Sequence, residues 1–212
     1  MFADAWTYLQ GHFDSYAMSI LQHLKISAMA VLIATAVGIP IGFAASKTKR
    51  AYHLSTGLFG MLRVIPSLAI LVLFMPILGI GIGPSLVALT VLAVPPILTN
   101  TAIAFRSVPS AVTEAGLGMG MGKGHLFWRI SVPLAMPLML SGVRTAAVEV
   151  IASATLAAYV GSGGLGDLIL TGLGLYRMDL LLLGGGTVAL LSLLTDWVLQ
   201  TVEKAVTGYQ RA

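Results

Sequence analysis

Apolar residues in this sequence fall in long unbroken blocks, not in the period-two alternation of a half-buried strand or the narrow stripe of a surface helix. One charge-free block covers residues 26–46 and a second covers 64–105. A helix that crosses a bilayer needs roughly 20 mostly apolar residues, so the first block predicts one span and the second has room for two. The run GIGIGP at 79–84 divides the second block and suits a tight, uncharged connection. Along the whole chain the pattern predicts spans at about 24–45, 57–77, 85–105, 134–158 and 179–199. A polar, glycine-rich stretch at 106–133 precedes the fourth span, and a glycine-rich loop at 159–178 precedes the fifth. The predicted architecture is an all-α membrane protein of five transmembrane helices in a single domain, residues 1–212. Residues 1–24 mix Trp6, Tyr8, Phe13 and Tyr16 with Asp4, Asp14 and two histidines, without the basic start of a signal peptide. They read as an extracytoplasmic, interfacial segment leading into a retained first span.

Composition agrees: 57% of residues are hydrophobic and 9% charged, with a mean hydropathy of +0.93. Soluble domains carry about 25% charge. The absence of cysteine excludes a disulfide framework, a thiolate metal site and a thiol nucleophile. All four histidines lie outside the two charge-free blocks, so neither a buried imidazole nor a metal site is expected. The net charge of +4 reports orientation rather than nucleic acid. Lys47, Lys49, Arg50, Arg106, Lys123, Arg129, Lys204 and Arg211 fall on one side of the five spans, against Lys25 and Arg177 on the other. Basic residues concentrate inside, which predicts an extracytoplasmic N-terminus and a cytoplasmic C-terminus.

Within the spans, Ala34, Gly38, Gly42 and Ser46 form a small-residue ridge along which another helix can approach closely. Pro40, Pro66, Pro76, Pro95, Pro96 and Pro137 fall in or beside spans, where neighbouring protein or a water-filled cavity must satisfy the freed carbonyls. Ionisable groups in spans are functional candidates because burying them is costly. Arg144 and Glu149 lie about 140° apart around one helix and must each find a partner elsewhere. Glu149, toward the outer side, is a candidate for lining a pathway, as are Arg144, Ser67, Thr99, Asn100 and Ser153. Arg63 and Asp196, placed about 9 Å and 5 Å from the cytoplasmic ends of their spans, are matched in depth and expected to form a structural ion pair.

The stretch SAVTEAGLGMGMGKGHLFWRISVP at 110–133 carries the most specific signal. Pro109 and Ser110 suit a helix start, and Glu114 suits its dipole. Glycines at 116, 118, 120, 122 and 124 each cost about 1 kcal/mol relative to Ala, so the segment is expected to need an outside partner to hold its shape. Glu114, Ala115, Gly120, Ile130 and Pro133 fit the spacing E-A-A, three residues, G, nine residues, I-x-L-P. Gly116 and Val132 depart from it. This pattern resembles the cytoplasmic coupling loop of ABC-importer permeases. RVIPSLAILVLFMPILGIG, PPILTNT and AAYVGSGGLGD extend the resemblance to the permeases of glycine betaine, choline and carnitine importers over about 25–204.

The resemblance implies a type I ABC-importer bundle with a cytoplasmic coupling-helix loop, in a bacterial inner membrane and in contact with its lipid. It further implies a second permease chain, identical or not, ATP-binding cassette ATPase subunits docked on the coupling loops, and an extracytoplasmic solute-binding protein. No nucleic acid is implied. Glu114, Ala115, Gly116, Gly120, Ile130 and Pro133 are the residues it assigns to ATPase coupling. The chain itself is then a transport subunit without catalytic residues or cofactor, ATP and magnesium being held by the ATPase.

Two glycine-rich motifs are decoys on this reading. GSGGLG at 161–166 satisfies G-x-G-x-x-G but follows a span rather than a strand. Gly122-Lys123 has Leu117 and Gly124 where a P-loop requires Gly and Ser or Thr. Other readings are a methionine or amino-acid ABC permease, an ion-coupled secondary transporter relaying through Glu149 and Arg144, and an intramembrane enzyme. The secondary transporter predicts paired repeats, into which five spans do not divide. The enzyme lacks an intramembrane His, Cys or paired carboxylates.

Overall fold

The computed structural model describes residues 2–208; Arg211, counted above among the cytoplasmic cations, lies outside them. The described elements are all helical. α1 (Phe2–Gly11) is followed after His12 by α2 (Phe13–Ser46), α3 (Lys49–Leu62), α4 (Ser67–Leu78) and α5 (Ile82–Arg106). α6 (Ser110–Gly118) and α7 (Lys123–Leu126) occupy the glycine-rich stretch, and a π-helical turn, Phe127–Ser131, joins α7 to α8 (Val132–Ser153). α8 tightens into a 3-10 segment, Ala154–Val160, before α9 (Leu165–Gly174) and α10 (Met178–Thr207).

Four stretches are long and apolar enough to cross a membrane: Phe13–Ser46, Ile82–Arg106, Lys123–Val160 and Met178–Thr207. The expected second span is not one continuous helix. It is α3 and α4, bent by 83° across Arg63 to Pro66. The Pro66 ring disfavours helical backbone at Ile65 and supplies no N–H to the preceding turn, so the helix stops there and restarts at Ser67. The other end of this span was also placed too late, because Thr48 caps α3 by accepting the Ala51 N–H at 3.1 Å. The first span is longer than its apolar block as well: α2 takes in the second half of the interfacial segment. The 159–178 stretch, expected as a loop, is mostly the 3-10 segment and α9.

α5 is the centre of the bundle, packed against α2, α8, α3 and α4, with α10 beyond α8 and α9 against α10. Its inward face, Leu89, Ala93, Val94, Ile97 and Leu98, meets Ile26, Ala30 and Ala34 of α2 and Ala146 and Val150 of α8. Alanines alternate there with leucine, isoleucine and valine, and at the closest approaches the backbones leave room only for glycine. A Cβ on Gly42 would lie 2.6 Å from the Leu98 carbonyl oxygen, and one on Gly142 would lie 2.7 Å from Asn100 Cβ. The ridge therefore works as read, since lipid tails are as apolar as leucine and helix association in membranes rests on such close packing. Asn100, at the α5–α8 contact, donates its amide to the Pro96 carbonyl at 2.8 Å.

Candidate functional site

The 106–133 stretch folds on itself. Pro109 precedes α6, whose end closes in a Schellman motif: Met121 N–H reaches Gly116 O at 3.1 Å and Gly120 N–H reaches Leu117 O at 2.9 Å. The residue between must be left-handed, and Gly120 has φ +84°. Gly116 is buried, and a Cβ there would sit 2.5 Å from Leu126 Cδ1 and 3.3 Å from Ile130 Cδ1. Gly116 lies under α7 and the π-helical turn, and the first atoms a side chain there would meet are the mobile ends of Leu126 and Ile130. α6 packs on α7, and α7 on the π-helical turn. Glu114 and Ala115 are exposed on α6, while Ile130 and Pro133 are half-buried where the loop joins α8.

The loop is anchored by three rings. Phe127, the first residue of the π-helical turn, meets Phe43 near the end of α2 at 5.0 Å and Phe105 at the end of α5 at 5.8 Å, centroid to centroid. Phe43 and Phe105 also touch each other at 4.7 Å, and Lys47 lies over Phe43 at 4.8 Å.

The charges within the bundle pair differently from expectation. Arg63 does not meet Asp196. Its Nη2 donates to Glu149 Oε1 at 2.5 Å, while Arg144 bridges Asp196 at 3.2 Å and Glu203 at 3.3 Å. Helix packing is the reason: α10 lies against α8, which brings Asp196 and Glu203 to Arg144, whereas α3 packs against α5 and α2. As expected from the angle between them, Arg144 and Glu149 turn to different neighbours. Glu149 Oε2 is shielded from solvent and has no hydrogen-bond partner. Ser67 follows the bend and Ser153 ends α8; both are half-buried, and neither adjoins the Arg63–Glu149 pair in sequence.

At the opposite end of the bundle, the two glycine-rich turns clasp each other. Gly81 N–H donates to Val160 O at 2.7 Å, and the Ser162 hydroxyl returns a bond to Gly81 O at 2.7 Å while contacting the Ser85 hydroxyl. Gly161 (φ +72°) closes a second Schellman motif. A Cβ on Gly166 would stand 2.2 Å from the Thr155 carbonyl oxygen, so GSGGLG is a packing element of this clasp. Burial raises the Asp167 carboxyl above its ordinary value, and the hydrogen bond to Asp179 raises the Arg177 guanidinium.

Sequence reasoning missed His23. The expectation of no buried imidazole is corrected: His23 is 1% exposed, and its Nε2–H donates to Ile151 O at 2.9 Å, where α8 is about to tighten into the 3-10 segment. The available signal was helical phase, since His23 shares the buried face of α2 with Ile26, Ser27, Ala30 and Ala34.

A multi-helix apolar bundle with one long polar loop packed across the ends of two spans is the architecture of a multi-pass membrane protein. The chain belongs to the family of binding-protein-dependent transport system inner membrane components, which it matches over residues 34–208. It is 39% identical over 201 residues to the carnitine transport permease protein OpuCB of Listeria monocytogenes, covering 95% of this chain and 92% of that one. It is 36% identical over 206 residues to the choline transport system permease protein OpuBB of Bacillus subtilis, covering 96% and 95%. Among solved structures, a chain of the MetNI methionine ABC transporter in an inward-facing form superposes with a TM-score of 0.81 over 91% of this chain and 96% of that one, at 20% identity. At that identity the likeness concerns fold.

Proposed function

We propose that this chain is the membrane-spanning subunit of an ATP-driven importer of quaternary ammonium osmoprotectants such as carnitine, choline and glycine betaine. The observation that carries the reading is likeness along nearly the full length to permeases named for these solutes, set against 20% identity to the methionine system. In this reading the chain pairs with a second permease, receives solute from an extracytoplasmic binding protein, and has its C-terminus in the cytoplasm. ATP and magnesium belong to a separate ATPase that engages the 106–133 loop through Glu114, Ala115 and the surface shaped by Gly116, Gly120, Ile130 and Pro133. Glu149 lines the pathway, whereas Arg144 ties α8 to α10 through Asp196 and Glu203. The test is co-purification of the ATPase and binding protein, reconstitution in liposomes, and uptake of labelled choline, carnitine, glycine betaine and methionine. ATP-dependent uptake of at least one of the first three supports the reading; uptake of methionine alone overturns it.

A further inference from the structure

Arg63 stands at the bend of the broken span, capping α3 where the chain turns by 83° into α4. It gives Glu149 one bond, from Nη2 to Oε1, and the two side chains are 49% and 30% exposed. Oε2 is dry and unbonded. The other nearby cation in the bundle, Arg144, is held by Asp196 and Glu203. Glu149 therefore keeps one oxygen out of water, which favours a cation beside it, yet it is served by a single bond to a half-exposed guanidinium of the kind that is weakly held. Val64 and Ile65, the next two residues of the chain after Arg63, expose apolar surface.

We propose that Glu149 is a station for the cationic headgroup of the solute and that Arg63 is its resident counter-ion, which the solute displaces, freeing the bend between α3 and α4. This rests on the import reading above. The chemistry matches a cation without N–H groups. A trimethylammonium asks for a negative charge rather than for hydrogen-bond geometry, and Glu149 offers one. A guanidinium, by contrast, needs aligned acceptors and here finds one oxygen.

The complex of permease, ATPase and binding protein in liposomes provides the test, with ATP hydrolysis and choline uptake both normalised to assembled complex. Without binding protein, millimolar tetramethylammonium chloride should raise hydrolysis by the wild type several-fold over sodium chloride at equal ionic strength. Arg63→Gln should show the raised rate without the cation. Combining Arg63→Glu with Glu149→Arg should restore the low resting rate by re-forming the pair in reverse, yet cut choline uptake at least tenfold because the carboxylate has left position 149. Equal responses to the two salts overturn the proposal, as does full uptake by the reversed pair. Wild-type complex that carries no quaternary ammonium solute yet answers to tetramethylammonium overturns the import reading while leaving the cation site standing.

Discussion

The ring of Phe127 stacks on that of Phe105, within 10° of parallel and with centroids 5.8 Å apart. This contact ties the start of a π-helical turn, an arrangement frequent at functional sites, to the last turn of the most buried helix in the bundle. Phe43 closes the triangle from α2. Any displacement of the 106–133 loop must therefore act on two spans together. Phe127→Ala forfeits three aromatic contacts, to Phe43, Phe105 and Trp128, at about 1 kcal/mol each, and should lower the melting temperature while reducing solute moved per ATP hydrolysed. Phe127→Leu, which keeps bulk without the ring, should recover the melting temperature more than the transport ratio.

Gly120 has φ +84° and open space around it, so a side chain there meets no neighbour and is penalised only by its backbone. A left-handed L-residue costs about 1 to 2 kcal/mol. Gly120→Leu should insert normally but loosen the end of α6 and reduce ATPase retention on the purified complex. Gly118→Ala, equally open but helical, should leave retention intact; equal retention by both variants would remove the assigned role of the turn.

Arg144 answers two carboxylates of α10 at once. Arg144→Gln leaves Asp196 and Glu203 without their cation, at an expected cost of about 1 to 2 kcal/mol, below that of a fully buried pair because all three groups are partly exposed. Adding Asp196→Asn and Glu203→Gln should restore most of the loss, read as thermal stability in detergent.

Tyr176 occupies the left-handed position that closes α9, with φ 54°, Arg177 N–H bonded to Gly172 O at 2.8 Å and Tyr176 N–H to Leu173 O at 3.4 Å. The ring is almost fully exposed, so nothing in the fold compensates the strain. Tyr176→Gly should stabilise the protein by about 1 kcal/mol, seen as a higher melting temperature. No gain would mean that the ring contributes contacts equal to the strain.

The proposed orientation places residue 81 outside and residue 123 inside. Reporter domains inserted after Gly81 and after Lys123 should give opposite activities in cells, and identical ones would reject the topology.

Periodicity and apolar length were enough to find α2, α5, α8 and α10, because a helix in lipid must satisfy its own backbone whatever surrounds it. The bend at Pro66 was less readable, because a proline in a span sometimes only kinks it. Pairing was not readable either, since depth along a span does not say which helices touch: α10 packs on α8, so Asp196 meets Arg144 rather than Arg63. The E-A-A-like spacing located the loop, but nothing in it foretold the Phe43–Phe105–Phe127 contact, which joins residues far apart in sequence. His23 was legible in helical phase, which puts it on the buried face of α2 with Ile26 and Ala30, but its bond to the Ile151 carbonyl, on a distant helix, was not.

The break between α3 and α4 also bears on how the chain enters a bilayer. α4 has 12 residues and reaches about 18 Å, short of a hydrocarbon core of about 30 Å. α3 carries Lys49, Arg50 and His53 and buries none of its residues. Neither half can be handed to lipid as a finished unit. Within the fold, α4 buries Ile70 and Leu71 in a cluster with Ala88 of α5, so the second crossing is expected to gain its packing only after the third has been made, a later helix recruiting an earlier one.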